Sequence, residues 1–387
     1  MANTLTSLTP TLYEALDVVS REMVGFIPAV SRNSSAERAA LNQTILVPIT
    51  PANTLADNTP AVTAPNTGDQ TVGNVSMTIS RSKHTPIRWN GEEQRGLLNA
   101  GSYAGILKNQ FVQGFRALVN QIEVDLFTTA YQNASRAYGT AGTTPFGTAG
   151  DLSDLSSVRQ ILDDNGAPQS DLQLVLGSAA INKLRGKQSI LFKVNEAGTD
   201  QLLRDGVLVR LEGFDIHNSA GISVVTAGTG TSYVTSGSTA PGVSSIALVT
   251  GSGTVLAGDV VTFAADSANK YVVNTGVAAP GTIVLGTPGT KVTIATANAM
   301  TIGGNYTPNM AFSKSAIQLV TRSPAMPIGP DGRPMDMADD VMQITDPVSG
   351  ITFDVAVYRQ FMQLVYHIRL AWGYQAIKPN HIATLIG

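Results

Sequence analysis

Apolar positions along the chain change their period several times, and each change predicts a different element. Leu12, Leu16, Val19, Met23 and Phe26 recur at steps of three and four. Thr9-Pro10 starts that run and Pro28 ends it, so residues 1–40 read as an N-terminal helical arm. Thr44–Ile49 reads as a short strand. Val75, Met77 and Ile79 alternate with polar residues in a second strand that continues into Arg81, Lys83 and Arg88. A tip rich in Pro, Thr, Asn and Ala separates them at 50–73, which predicts an extended β-hairpin over 41–90. An isolated two-stranded hairpin is marginal in water, so this one needs a surface to lie on.

The strongest helical signal comes next. Leu107, Phe111, Phe115, Leu118, Ile122, Leu126 and Ala130 form one apolar stripe, with Ser102 as N-cap and Gly139 as stop. A helix over 102–138 would be roughly 50 Å long, the length of a strut across a flat molecule. Gly105 and Gly114 each cost about 1 kcal/mol in a helix, which argues against a coiled coil. This unit spans 91–150 and ends in GTAGTTPFGTAG at 139–150, read as a flexible link. An α+β block follows over 151–221: a helix at 152–162, a strand at 172–176, a helix at 178–185, and a strand at 207–212 leading into Gly213–His217. Residues 222–307 hold short β runs at 246–249, 260–263, 271–273, 282–285 and 291–295 between Gly-rich turns. They read as an inserted all-β domain, a small barrel or sandwich. Strands at 317–320, 351–359 and 360–374 fill 308–387, so the insert interrupts one domain built from two chain segments.

Composition sharpens this picture. Of 387 residues only 14% are charged, against about 25% in average globular chains. Much of the surface must then be neutral, as at the centres of protein–protein contacts. Residues 41–80 carry only Asp57 and Asp69, and 222–307 only Asp259, Asp266, Lys270 and Lys291, together with 13 of the 37 glycines. A net charge of −3 excludes a globally basic nucleic-acid binder. With no cysteine, the chain has no disulfide, thiolate metal site or thiol nucleophile. The first residues lack the basic and apolar regions of a signal peptide, and no apolar run reaches 18 residues. The expectation is no membrane association, and a chain kept in a cytoplasm or in something assembled there.

Candidate chemistry is sparse. His84, His217, His367 and His381 never fall three or four apart, so no metal site is expected. No nucleophile elbow occurs, and the glycines at 251, 253 and 258 lack the Lys-Ser/Thr of a phosphate loop. Asp336, Asp339, Asp340 and Asp346 fit no calcium loop and read as a solvated face. No catalytic, cofactor or metal residue is expected. Arg81, Lys83 and Arg88 read as partners for a neighbour's carboxylates rather than for phosphate. With Asp57 and Asp69 they are the candidate inter-subunit contacts.

The order of parts resembles the major capsid (coat) proteins of tailed bacteriophages, the Hong Kong 97-type fold with its N-arm, E-loop, spine-helix P-domain and A-domain. The β insert resembles the added domain of the Salmonella short-tailed phage coat type. Arg204-Asp205-Gly206 followed by Gly213-Phe214-Asp215 looks like that type's RDG…GFD run, and LAWGYQAIKP at 370–379 looks like its C-terminal strand. The resemblance implies a structural, non-enzymatic subunit that forms the hexamers and pentamers of an icosahedral shell. It implies assembly in a bacterial cytoplasm with scaffolding and portal proteins. It further implies double-stranded DNA within the shell, met by the chain through non-specific proximity only. Some relatives crosslink a Lys to an Asn; Lys83 and several asparagines are present, but nothing singles out a pair and none is expected. A Gly/Thr-rich surface or adhesin-like structural protein is the alternative, against which the absent secretion signal speaks.

Overall fold

The computed structural model describes residues 9–20, 24–50, 53–60, 62–63, 68–99, 103–188, 210–330, 335–346 and 349–387. The N-terminal part holds α1 (Thr9–Ser20), α2 (Phe26–Ala29), β1 (Ser31–Ala39), β2 (Thr44–Ile49), β3 (Gly73–Thr78), β4 (Arg81–Asn90), α3 (Gly91–Asn99) and α4 (Tyr103–Gln132). Next come β5 (Arg136–Gly139), α5 (Ser153–Asp164), β6 (Leu172–Leu176), α6 (Ser178–Lys187), β7 (Arg210–Leu211) and β8 (Phe214–Asn218). The insert contributes β9 (Tyr233–Thr235), β10 (Ser245–Val249), β11 (Val260–Phe263), β12 (Asp266–Thr275), β13 (Thr282–Leu285) and β14 (Ala299–Ile302). The chain closes with β15 (Pro308–Ser313), β16 (Ile317–Pro324), β17 (Asp340–Thr345), β18 (Thr352–Gln360), β19 (Gln363–Ala376) and β20 (Ile382–Ile386). The class is α+β, as the sequence predicts. Ser102, Met23, residues 207–209 and the Arg204-Asp205-Gly206 run lie outside the described residues.

The long helix α4 has 30 residues, about 45 Å at 1.5 Å each. Its stripe packs on a six-stranded sheet ordered β1-β16-β19-β18-β17, with β4 on the other side of β19. Phe115 meets Phe353 at 4.9 Å between ring centroids, and Phe111 meets Tyr366 at 5.4 Å. Gly114 explains its own place in a helix: a Cβ there would stand 2.7 Å from Ile368 Cδ1. The helix stops at Gln132, short of 138, because the chain beyond it is needed in a sheet. Ser135 N–H donates to Ile382 O at 2.8 Å, and β5 runs parallel to β20.

Residues 31–39 are a strand rather than part of a helical arm. The polar run SRNSSAERA carries neither helical nor strand period, and parallel pairing with β16 decides its state. α1 itself lies on α4 with Leu12, Ala15, Leu16 and Val19 buried, so this helix docks on its own chain. The hairpin is β2–β3 alone, because the expected run into Arg81–Arg88 breaks at Ile79. That residue is buried, and its backbone closes on Asn42 and Gln43. β4 then joins the spine sheet. α3 was not expected, although Asn90 and Glu93 form a reciprocal cap that marks its start in the sequence. Nor is 139–150 a loose link: Phe146 is 1% exposed and its N–H donates to Asp154 at 2.7 Å.

A second core lies under α5 and α6, built from Leu155, Val158, Leu162, Leu174 and Phe214. It sits on a sheet that continues into the insert, in the order β12-β5-β20-β15-β6-β8-β7. The insert is a closed six-stranded barrel: β11-β14-β9-β10-β13-β12, with β11 pairing again with β12. All its ladders are antiparallel. Its own core includes Tyr233, Ile246, Leu248, Phe263, Tyr271 and Ile283. Residues 291–295 are not a strand; Ile294 makes a single bridge to Thr239, while β9 and β14, unforeseen, complete the wall. The two chain ends leave side by side, Val225 and Tyr306 exchanging backbone bonds of 2.8 and 3.2 Å.

Candidate functional site

Among the described residues, the hairpin has little support from the rest of the fold. Its register runs from Thr44↔Thr78 to Ile49↔Gly73. Only its base is packed, with Met77 and Ile79 against Ala39, Val320 and Ala371. Beyond that, apolar side chains stand in solvent: Leu46 is 59% exposed, Val72 62%, Leu55 102% and Val62 105%. Such residues normally find a core or a partner, and exposed apolar surface marks a contact site. Asp57 and Asp69 lie on this exposed tip, and neither carboxylate has a partner among the described residues.

The three cations do not share the hairpin. Arg81 pairs with Asp125 of α4 at 3.5 Å, Lys83 donates to Gln121 at 3.3 Å, and Arg88 donates to Gln363 at 3.4 Å. Asp125 is buried and also accepts Trp372 Nε1–H at 3.0 Å. The structure therefore gathers Arg81 and Lys83 over α4 with partners from their own chain, and leaves Asp57 and Asp69 apart. Within the single chain Arg81 already has a carboxylate partner, while its side chain stays 43% exposed.

The aspartates near the C-terminus are not one solvated face. Asp336 receives Arg369 and the Tyr358 hydroxyl, each at 2.8 Å, and Asp339 receives Arg359 at 3.1 Å. Asp346 is buried and accepts Ser349 N–H at 3.0 Å. Among the described residues, no group of three or more His, Asp or Glu is arranged to hold a metal ion. No described helix is long and apolar enough to cross a membrane.

Sequence reasoning missed two buried carboxylates that hold the frame. Glu123 of α4 accepts Gly25, Phe26 and Ile27 N–H at 2.6, 2.7 and 3.2 Å, and Ser219 Oγ–H at 2.6 Å. Burial pushes its carboxyl up and the four donors pull it back, with burial the larger effect. This one side chain pins the N-terminal segment to the spine and to the end of β8. Asp354, fully buried, receives Arg369 at 2.7 Å and Arg38 at 3.3 Å. No spacing in the sequence announces either, because their partners lie far away along the chain.

No family model matches the chain, and no curated protein does. Seventy-three chains of solved structures match. One is from Mycobacterium phage Che8, with 12% identity and TM-score 0.43 over 96% of this chain and 90% of that one. Another is from the capsid of cyanophage P-SCSP1u, with 10% identity and TM-score 0.46 over 92% and 86%. A third is from a virus-like particle of Pyrococcus furiosus, with 10% identity and TM-score 0.45 over 98% and 100%.

Proposed function

We propose that this chain is a shell-building structural subunit of the tailed-phage major capsid type, with the Hong Kong 97-type architecture, and that its output is geometry rather than catalysis. The observation that carries this reading is the hairpin. An extended arm with Leu46, Leu55, Val62 and Val72 in solvent is unfinished within one chain. A second copy of the same chain, held in a shell, supplies the missing surface. The rest of the molecule supports the same reading: a rigid strut, α4, backed by a broad sheet, gives each copy a fixed frame from which to reach. Many modest contacts made at once give shell stability without crosslinks. Asp57 and Asp69 remain as tip contacts to a neighbour.

In the finer reading, copies form hexamers and pentamers of an icosahedral virion shell, assembled in a bacterial cytoplasm with scaffolding and portal proteins. The shell encloses double-stranded DNA that the chain meets without specific contacts. The closed barrel between 225 and 306 supports a coat type with an insertion domain, as in the Salmonella short-tailed phages. Negative-stain microscopy of the purified chain tests the proposal: uniform hollow particles or rings are expected. Monodisperse single chains at high concentration, melting later in the presence of a small ligand, would overturn it.

A further inference from the structure

Two of the four histidines, 283 residues apart in the chain, meet in the spine sheet. His84 of β4 stands across the ladder from Arg369 of β19, and His367 lies two residues along on the same face. Their rings stack with centroids 4.7 Å apart and planes 12° from parallel. Tyr358 of β18 meets His367 edge-on at 5.1 Å. The ring nitrogens carry their lone pairs in the ring planes, so two nearly parallel rings do not converge on a metal ion.

Among the described residues, the charged groups on this face are these. From β19 comes Arg369; from β18, Asp354 and the Tyr358 hydroxyl; from the segment before β17, Asp336; from β1, Arg38; and from β4, Arg88 further along. Both carboxylates are already taken. Asp354 holds Arg369 and Arg38, and Asp336 holds Arg369 and the Tyr358 hydroxyl. A charged imidazole here finds a second imidazole and a guanidinium before it finds a free carboxylate. Like charges this close disfavour the doubly charged state. Among the described residues β4 has β19 as its only ladder partner, so it is the strand able to yield.

We propose that His84 and His367 form a proton-sensitive joint between β4 and β19, closed while the rings are neutral and loosened when both take up a proton. The joint is a property of the single chain and holds whether or not the chain builds shells. Its environment agrees in sign: burial, then His84 and Arg369, hold His367 below the ordinary imidazole value, against an opposing pull from Asp336.

With only four histidines, ring-labelled chain gives a readable magnetic-resonance titration. His367 is expected to titrate below its ordinary value. His84→Phe keeps the stack and replaces a like charge by an aromatic face that attracts a cation. It should raise the His367 midpoint by about half a pH unit, with His217 and His381 unmoved. Backbone amides of β4 should lose protection several-fold between pH 7.5 and 5, after correction for intrinsic exchange, in the wild type but not in the variant. If His84→Phe perturbs folding, His84→Gln serves the same comparison. An unmoved His367 midpoint, or equal β4 protection at both pH values, overturns the joint.

Discussion

The hairpin and the barrel insert are the two poorly charged β regions of this chain, and they use that composition in opposite ways. The barrel turns its apolar residues inward: Tyr233, Ile246, Phe263, Tyr271 and Ile283 are at most 1% exposed. It also has no open edge, since β11 and β12 close the ring. The hairpin has two strands, one packed base and four large apolar side chains in water. Low charge thus reports neutral surface, and only topology decides whether that surface is buried or left exposed. The barrel spends its composition on its own stability; the hairpin leaves its large apolar side chains in solvent.

Removing the hairpin tip should have the largest effect and the most selective one. Deleting 53–70 removes Leu55, Val62 and both aspartates, none of which has a contact to the frame. The melting temperature of the unassembled chain should stay within about 2 °C, because exposed residues contribute little. Closed particles should vanish from micrographs. Normal particles from the deletion would end the contrast, since the hairpin would then be idle surface.

The barrel should respond in the reverse manner. Phe263→Ala opens a cavity against Tyr271, whose ring centroid lies 6.0 Å away, and should cost about 3–5 kcal/mol. Urea unfolding followed by tyrosine fluorescence reads this directly. Excising 226–305 tests the same point differently. Val225 and Tyr306 already exchange two backbone bonds, so a two-glycine bridge rejoins them without strain. The spine and the α5–α6 core should keep their circular dichroism, with some loss where Gly258 had met Tyr131. Loss of all folded signal would show that the barrel is a support rather than a module.

The sequence carried these regions unequally. The stripe of α4 was legible because a 3.6-residue period needs no knowledge of partners, and the barrel was legible from its fall in charge and its glycines. Its closure was not, since β9 and β14 are short and their partners lie far away in the chain. β1 was illegible because SRNSSAERA has no large apolar residue and takes its state from β16. The β4 cations were placed on the hairpin because the alternation of Val75, Met77 and Ile79 leads into Arg81 with no Gly or Pro between them. The break comes from Ile79 folding back on Gln43, a contact without a local signature. Of the candidate site, that Asp57 and Asp69 stand exposed was readable from the polar tip; the burial of Glu123 and Asp354 was not.

A smaller effect concerns how the barrel is held. Asp164 accepts Arg136 at 3.2 Å and also Lys291 from the barrel. Lys291 first, with Arg136 adding to it, holds the Asp164 carboxyl below its ordinary value despite some burial. A depressed carboxylate contributes stability above its unfolded pKa of about 3.9 and loses it as pH falls toward the folded value. The pair is partly exposed, so Lys291→Met should cost below about 1 kcal/mol at pH 7. By pH 3 wild type and variant should melt closer together. A gap that widens in acid would mean that Lys291 acts by packing and not by charge.

The smallest effect on the single chain is the one that isolates the hairpin's role. Leu46 faces solvent in the middle of β2, opposite Ser76, where a serine fits the ladder as well as a leucine. Leu46→Ser should therefore change the stability of the unassembled chain by less than about 0.5 kcal/mol. If a neighbour covers that position, the same change removes an apolar contact repeated at every interface of the shell. Its cost multiplies with copy number, and the concentration needed for particles should rise several-fold. Light scattering against protein concentration separates the two cases. An unchanged threshold, with unchanged melting, would place this face of the hairpin outside any contact and confine the apolar docking to the tip.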